Sequence, residues 1–136
     1  VLSGTIVNNI NKIWYSKRDI ATANKVMKEL DLFDIKNKCF RDLSGGQQQR
    51  VLIARAICAT EKVIILDEPT NGLDPAISTQ IYEILERLNK KRGLTVIMVS
   101  HDISRAIKYC SRVMEIKDGK VTYLGDAKSY KGGGVA

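Results

Sequence analysis

The sequence predicts an α/β fold with parallel strands, and three observations predict it. Val63–Leu66 and Thr95–Val99 are short, β-branched, apolar runs. Such runs lack in–out alternation and read as strands buried on both faces. Between them Ile77, Ile81, Ile84, Leu85 and Leu88 recur at helical spacing. A strand, a helix and a strand in that order imply a parallel pair, because the helix carries the chain back to the same end of the sheet.

The elements follow in chain order. Asp19 is placed as N-cap for a helix over Ile20–Leu30, with Ala23, Val26, Met27 and Leu30 on one face. Leu32, Phe33 and Ile35 pack a short connector, and no strand is read in residues 1–43. Ser44-Gly45-Gly46 opens a helix from about Gln47 to Ala59. Pro75 suits a helix start, Gly93 a helix stop, and the Glu83–Arg87 and Glu86–Lys90 pairs are correctly ordered for i,i+4 support. A short helix is expected over roughly Ile103–Tyr109. Arg112–Lys117 and Lys120–Leu124 flank Asp118-Gly119, a strong hairpin signal. The Gly-rich tail from Lys131 to Ala136 reads as loose chain.

Composition narrows the class. The 136 residues suit one small domain, and a 44% apolar fraction excludes a disordered or collagen-like chain. No apolar run approaches the ~20 residues of a spanning helix. Cys39, Cys58 and Cys110 are far apart, and His101 is the sole histidine, so a zinc site is not expected; the thiols read as free and buried. The net charge of +7 admits nucleic acid, phosphate ligands or an anionic membrane surface. Trp14 and Tyr15 beside Lys17-Arg18 could stack on bases, but such rings more often serve a core, and no nucleic acid partner is expected.

Three strings carry chemistry. Leu43-Ser44-Gly45-Gly46-Gln47 places a serine and two glycines at a helix start, where exposed N–H groups and the helix dipole favour an anion. Glycine there lets a phosphate approach the main chain. Val63 to Leu66 leads into Asp67-Glu68-Pro69. Adjacent carboxylates at a strand end point in different directions, so one can serve a magnesium ion and the other a water attacking a phosphate. His101 follows the second strand at the sheet edge where open α/β sheets bind ligands. Each string alone has a plain structural reading: an N-cap, a turn cap, a structural histidine.

In this order and spacing, together with Leu73-Asp74, the strings resemble the nucleotide-binding domain of ABC transporters, a P-loop NTPase (RecA-like) core with a helical subdomain. Leu43–Gln47 matches the signature, Val63–Asp67 the Walker B strand, Glu68 the catalytic glutamate, Leu73-Asp74 the D-loop and His101 the switch histidine. The text around Gln47–Ala56, Val99–Ile103 and Tyr109–Val113 looks most like bacterial zinc- and manganese-type importers. The resemblance implies residues 1–43 as partial helical subdomain, 44–125 as the C-terminal part of the ATPase core and 126–136 as a tail. It implies ATP and Mg²⁺ as cofactors. Ser44, Gly45, Gly46 and Gln47 would bind ATP held by a facing domain, and Asp67 would hold Mg²⁺. Glu68 would activate water, His101 would contact the γ-phosphate, and Asp74 would report across the dimer.

The implied partners are a second ATPase domain, with a homodimer favoured, a membrane permease and, indirectly, a solute-binding protein. The implied location is the cytoplasmic face of the cell membrane. No GxxxxGK[ST] phosphate loop occurs in the 136 residues, and no counterpart of the glutamine loop is found. The resemblance therefore implies truncation at the N-terminus of a domain of roughly 220–260 residues. The P-loop strand would be missing, sheet edges would be left unpaired, and the fragment alone would be inactive. Two alternatives stand beside transport: a non-transport ATPase of the same superfamily, of translation or repair type, and an interaction module without a phosphate loop.

Overall fold

The computed structural model describes Val1, residues 15–60 and residues 62–131. Trp14 and the tail beyond Lys131, each read in the sequence, lie outside the described residues, as does most of the opening of the partial helical subdomain. The chain forms two compact units, Val1–Val99 and Ser100–Ala136.

The first unit contains α1 (Lys17–Glu29), α2 (Gly45–Ala59), β1 (Val63–Asp67), α3 (Pro75–Arg92) and β2 (Thr95–Val99). Ser16, not Asp19, caps α1: the Asp19 N–H donates to Ser16 Oγ at 3.2 Å, while Asp19 Oδ2 accepts from the Ser16 N–H at 2.7 Å. Serine at N-cap with an acid at N3 satisfies two backbone donors reciprocally, so the acid sits one turn inside the helix. Two short 3-10 turns, Phe33–Ile35 and Phe40–Asp42, lead to α2. α3 starts at Pro75 and ends on Gly93 in the left-handed conformation (φ 65°), which a side chain would strain.

One hydrophobic core joins these elements. Val26, Leu30 and Leu32 meet Ile53, Ala54, Ile57 and Cys58 of α2, Ile64 of β1, and Ile81, Ile84, Leu85 and Leu88 of α3. A polar tie adds to it: Arg87 donates to the Glu29 carbonyl at 2.8 Å, and Arg92 Nε donates to the Glu29 carboxylate at 3.2 Å. Lys90 pairs with Glu86 at 2.7 Å as the sequence expects, whereas Arg87 reaches across to α1.

β1 and β2 pair in parallel, with Val63 opposite Thr95 and Asp67 opposite Val99. Neither strand is buried on both faces, and here the sequence expectation is corrected. Ile64, Leu66, Val96 and Met98 face the helices, whereas Ile65 is 71% exposed beside Val63, Ile97 and Val99. The reason is layering: helices cover one face of this two-stranded sheet, and alternate residues point to the other.

The second unit holds α4 (Ile103–Ala106), β3 (Arg112–Lys117) and β4 (Lys120–Asp126). α4 is shorter than expected because the chain beyond Ile107 tightens: Lys108 and Tyr109 N–H groups bond three residues back, not four. β3 and β4 form the predicted hairpin, turning through Asp118 (φ 49°) and Gly119 (φ 71°), as a type I′ turn requires. A bulge after Glu115 leaves Thr122 as the extra residue, and its hydroxyl donates to Glu115 Oε2 at 2.7 Å. Met114, Ile116, Val121 and Leu124 are exposed on the hairpin. Two further expectations change. Cys39 is exposed in the connector before α2, and only Cys58 of the three thiols is buried. Tyr15 is 40% exposed and does not serve the core.

Candidate functional site

The signature string lies at the α2 N-terminus. Ser44 is the N-cap: its Oγ accepts from the Gln47 N–H at 3.4 Å, and its own N–H donates to Gln47 Oε1 at 3.1 Å. The first and last polar residues of the motif are thereby locked together as a capping box. Gln48 braces the approach, donating to the carbonyls of Phe40 at 3.2 Å and Leu43 at 3.1 Å. Leu43 is buried beneath this turn. Among the described residues the Gly45 and Gly46 N–H groups take no hydrogen-bond acceptor. At a helix start such donors suit an anion, so this turn fits a nucleotide phosphate.

The acidic pair lies at the C-terminal end of β1. Asp67 is the last strand residue, exposed and opposite Val99. Glu68 departs from the strand with φ 45°. A left-handed glutamate costs about 1 kcal/mol or more and persists only when its surroundings impose it. Here the Glu68 N–H donates to Val99 O at 3.0 Å, and its carbonyl accepts from Asn71 at 3.0 Å. The strained turn takes Glu68 out of the alternation of β1, which ends at Asp67. Asp67 alone offers a single carboxylate, which fits Mg²⁺: that ion is commonly held by one or two carboxylates plus phosphate oxygens and water.

The chain from Glu68 to Asp74 is held by groups the sequence did not flag. Thr70 Oγ1 and the Tyr82 hydroxyl, both buried, lie 3.2 Å apart and tie the loop to α3. Leu73 N–H donates to Thr70 O at 3.2 Å. Asp74 then caps α3, accepting from Ala76 and Ile77 N–H groups at 3.0 Å each. A hydroxyl pair twelve residues apart has no local pattern, so nothing in the sequence could have found it.

The signature and the D-loop meet inside this unit. A side chain on Gly45 would lie 3.1 Å from Leu73 Cδ2, and one on Gly46 would lie 2.5 Å from Ile77 Cγ2. Ser44–Gln47 and Leu73-Asp74 are thus neighbours, and Glu68 belongs to the same loop. His101 lies at the start of the second unit, after Ser100: it is exposed, its carbonyl accepts from Ile103 N–H at 3.0 Å, and Asp102 beside it caps α4 through Arg105 N–H at 3.1 Å.

A parallel strand–helix–strand unit carrying an acidic pair at its strand end and a glycine-opened helix defines a P-loop-type α/β fold. The sequence model of the ABC transporter family matches residues 3–71, half of the chain, and the chain belongs to that family. It is 36% identical over 115 residues to a phosphonates import ATP-binding protein of Mesoplasma florum, covering 85% of this chain and 46% of that protein. Two solved structures share the fold. CbiO1 of Clostridium perfringens, part of the ABC transporter complex cbiONQ, is 33% identical with a TM-score of 0.82 over 93% of this chain and 49% of its own. A bacterial ABC transporter cassette solved as a dimer is 32% identical with a TM-score of 0.73 over 94% of this chain and 56% of its own. The chain thus spans about half the length of these proteins. The Mesoplasma florum relative is named for phosphonates, not for the zinc or manganese that the sequence resemblance suggested.

Proposed function

We propose that this chain belongs to the ATP-binding subunit of an ABC importer, coupling ATP binding and hydrolysis to transport. The observation that carries the proposal is Glu68: a carboxylate set at the end of a parallel strand, in a strained turn, beside Asp67. In this role Glu68 orients and deprotonates the attacking water, which is general-base catalysis. Mg²⁺, when bound, neutralises phosphate charge, and Asp67 is the side chain suited to hold it. The free N–H groups of Gly45 and Gly46, with Ser44 and Gln47, address the γ-phosphate of ATP held by a facing domain. His101 acts with Asp67 and Glu68 on the ATP of its own domain, donating to that γ-phosphate and stabilising developing charge. Asp74 reports between the two sites of a dimer. The dimeric cassette among the structural relatives supports the pairing.

A membrane permease is the proposed partner, which places the subunit at the cytoplasmic face of the membrane as a peripheral component. The cbiONQ complex supports it, and no helix among the described residues is long and apolar enough to cross a membrane. The cargo class favoured by the Mesoplasma florum relative is phosphonate. Uptake of a phosphonate and of zinc, compared in cells with and without the gene, decides between that cargo and the metal ion suggested by the signature text.

The deciding experiment for the activity is Glu68→Gln in the full-length protein. Turnover is expected to fall by about 10²–10⁴, with ATP retained in a stable dimer. Parental turnover in that variant would remove Glu68 from its role. The 136-residue chain by itself, which contains no GxxxxGK[ST], is proposed not to hydrolyse ATP. Glu68-dependent turnover by this chain alone would refute that.

A further inference from the structure

We propose that Ile77 is a positioning residue for the first turn of α2, and that glycine is required at position 46 by Ile77, not by the approach of a ligand. The inference rests on the assignment of Ser44–Gln47 to a nucleotide phosphate. A Cβ built on Gly46 falls 2.5 Å from Ile77 Cγ2, with Ile77 Cδ1 and Cβ at 3.7 and 3.8 Å. Real Cβ atoms essentially never take the first of these distances. The colliding atom is a methyl on the β-carbon of a helical isoleucine, and such side chains have one strongly favoured χ1 rotamer, so it has nowhere to swing.

Gly45 differs. Its virtual Cβ meets only the far end of Leu73, at 3.1 Å, where a flexible side chain can give way. Gly45 is also exposed, whereas Gly46 is buried. The direction in which a side chain would leave Gly46 therefore points into α3, while its N–H takes no acceptor among the described residues.

The contact has a consequence for geometry. Leu73 and Ile77 flank Asp74, and Asp74 accepts from the Ile77 backbone N–H at 3.0 Å. The bare backbone of α2 against one methyl of α3 thus sets the distance between the signature turn and the loop that begins at Glu68. Close-packed contacts of this kind transmit displacements of a few tenths of an ångström, because the interior has no free volume to absorb them. Catalytic groups tolerate little such displacement.

The test uses the full-length ATP-binding protein with Gly46→Ala, Ile77→Ala, both together, and Gly46→Ala with Ile77→Val. ATP turnover (kcat and KM) and Tm are measured for each. Gly46→Ala is expected to lower kcat by about tenfold or more. Adding Ile77→Ala removes the blocking methyl and returns kcat to within about threefold of the Ile77→Ala protein, a strongly non-additive cycle. Ile77→Val keeps the Cγ2 methyl and restores nothing. A double variant no more active than Gly46→Ala overturns the proposal, since a methyl that obstructs a ligand obstructs it whatever occupies position 77. Should Gly46→Ala fail to fold, recovery of an active protein by Ile77→Ala upholds the contact and continued misfolding overturns it. A parent protein without ATP turnover removes the functional assignment instead. The melting temperatures then decide the contact: recovery of Tm in the double variant upholds it, and additive losses overturn it.

Discussion

Replacing Asp74 separates its two roles, because one role needs only an oxygen and the other needs a charge. A single Asp74 oxygen accepts from the Ala76 and Ile77 N–H groups, each at 3.0 Å. Pro75 at the first helical position brings no donor, so these two are the N–H groups of α3 that most need an acceptor. The next, from Ser78, goes to the Asp74 backbone carbonyl at 2.9 Å and survives any side-chain change. Asp74→Ala removes both side-chain bonds and a favourable charge at the start of an 18-residue helix. Asp74 is exposed, so water replaces part of what is lost, and the cost should be about 1–2 kcal/mol. With an m-value of about 2 kcal/mol/M that is a fall of about 0.5–1 M in the urea midpoint. Asp74→Ser keeps a capping oxygen and should lose less than about 0.5 kcal/mol. In the full-length protein, however, both variants lose the carboxylate proposed to act across the dimer, so both should lose ATP turnover. Equal urea midpoints for Asp74→Ala and Asp74→Ser would refute the capping argument. Parental turnover in Asp74→Ser would refute the dimer role while leaving the cap intact.

Three further outcomes are expected. The hydroxyls of Thr122 and Tyr130, donating to Glu115, hold its carboxyl below the ordinary carboxylate range. That group therefore stabilises the hairpin above its unfolded pKa of about 4.3 and ceases to do so as pH falls through its lower folded value. The edge-on contact of Tyr123 with Tyr130, centroids 5.0 Å apart, should loosen in near-UV circular dichroism below about pH 4, and Glu115→Gln should abolish the pH dependence; an unchanged acid transition in that variant would exclude Glu115 as its source. Burial pushes the Cys58 thiol up, while Cys39 is exposed, so a thiol reagent at pH 8 should label Cys39 first and Cys58 only as α2 opens. Equal rates would mean α2 does not pack as described. The Glu29–Arg92 pair is partly exposed, and a double-mutant cycle with alanine at both positions should give a coupling of about 0.5–1 kcal/mol that shrinks with salt; zero coupling would make the tie between α1 and α3 a matter of apolar packing and the Arg87 bond alone.

Much of the fold was legible in the sequence because its signals are local. Val63–Leu66 and Thr95–Val99 are β-branched, Ile77–Leu88 repeats at helical spacing, and Asp118-Gly119 specifies a two-residue turn; each needs only neighbouring residues to act. The acidic pair and the glycine-opened helix were legible for the same reason. Errors arose where the outcome depends on what lies across space. An apolar strand reads as buried on both faces until the number of covering layers is known, and Ile65 proved open to solvent. The cap of α1 was misplaced by three residues because serine and aspartate form a reciprocal box in which either can be taken for the cap.

By itself, then, the sequence determined which residues are proposed to carry the chemistry, Ser44–Gln47, Asp67, Glu68, Asp74 and His101, and which segments become helix or strand, since propensity and motif spacing are properties of the chain. Tertiary structure alone decided how those residues relate: the left-handed turn imposed on Glu68 by Val99, the Thr70–Tyr82 hydroxyl pair that holds its loop, and the seat of Gly46 on Ile77. Those contacts join residues 12 to 31 positions apart, and no local pattern encodes a distance between two elements; only packing them against a shared core sets it.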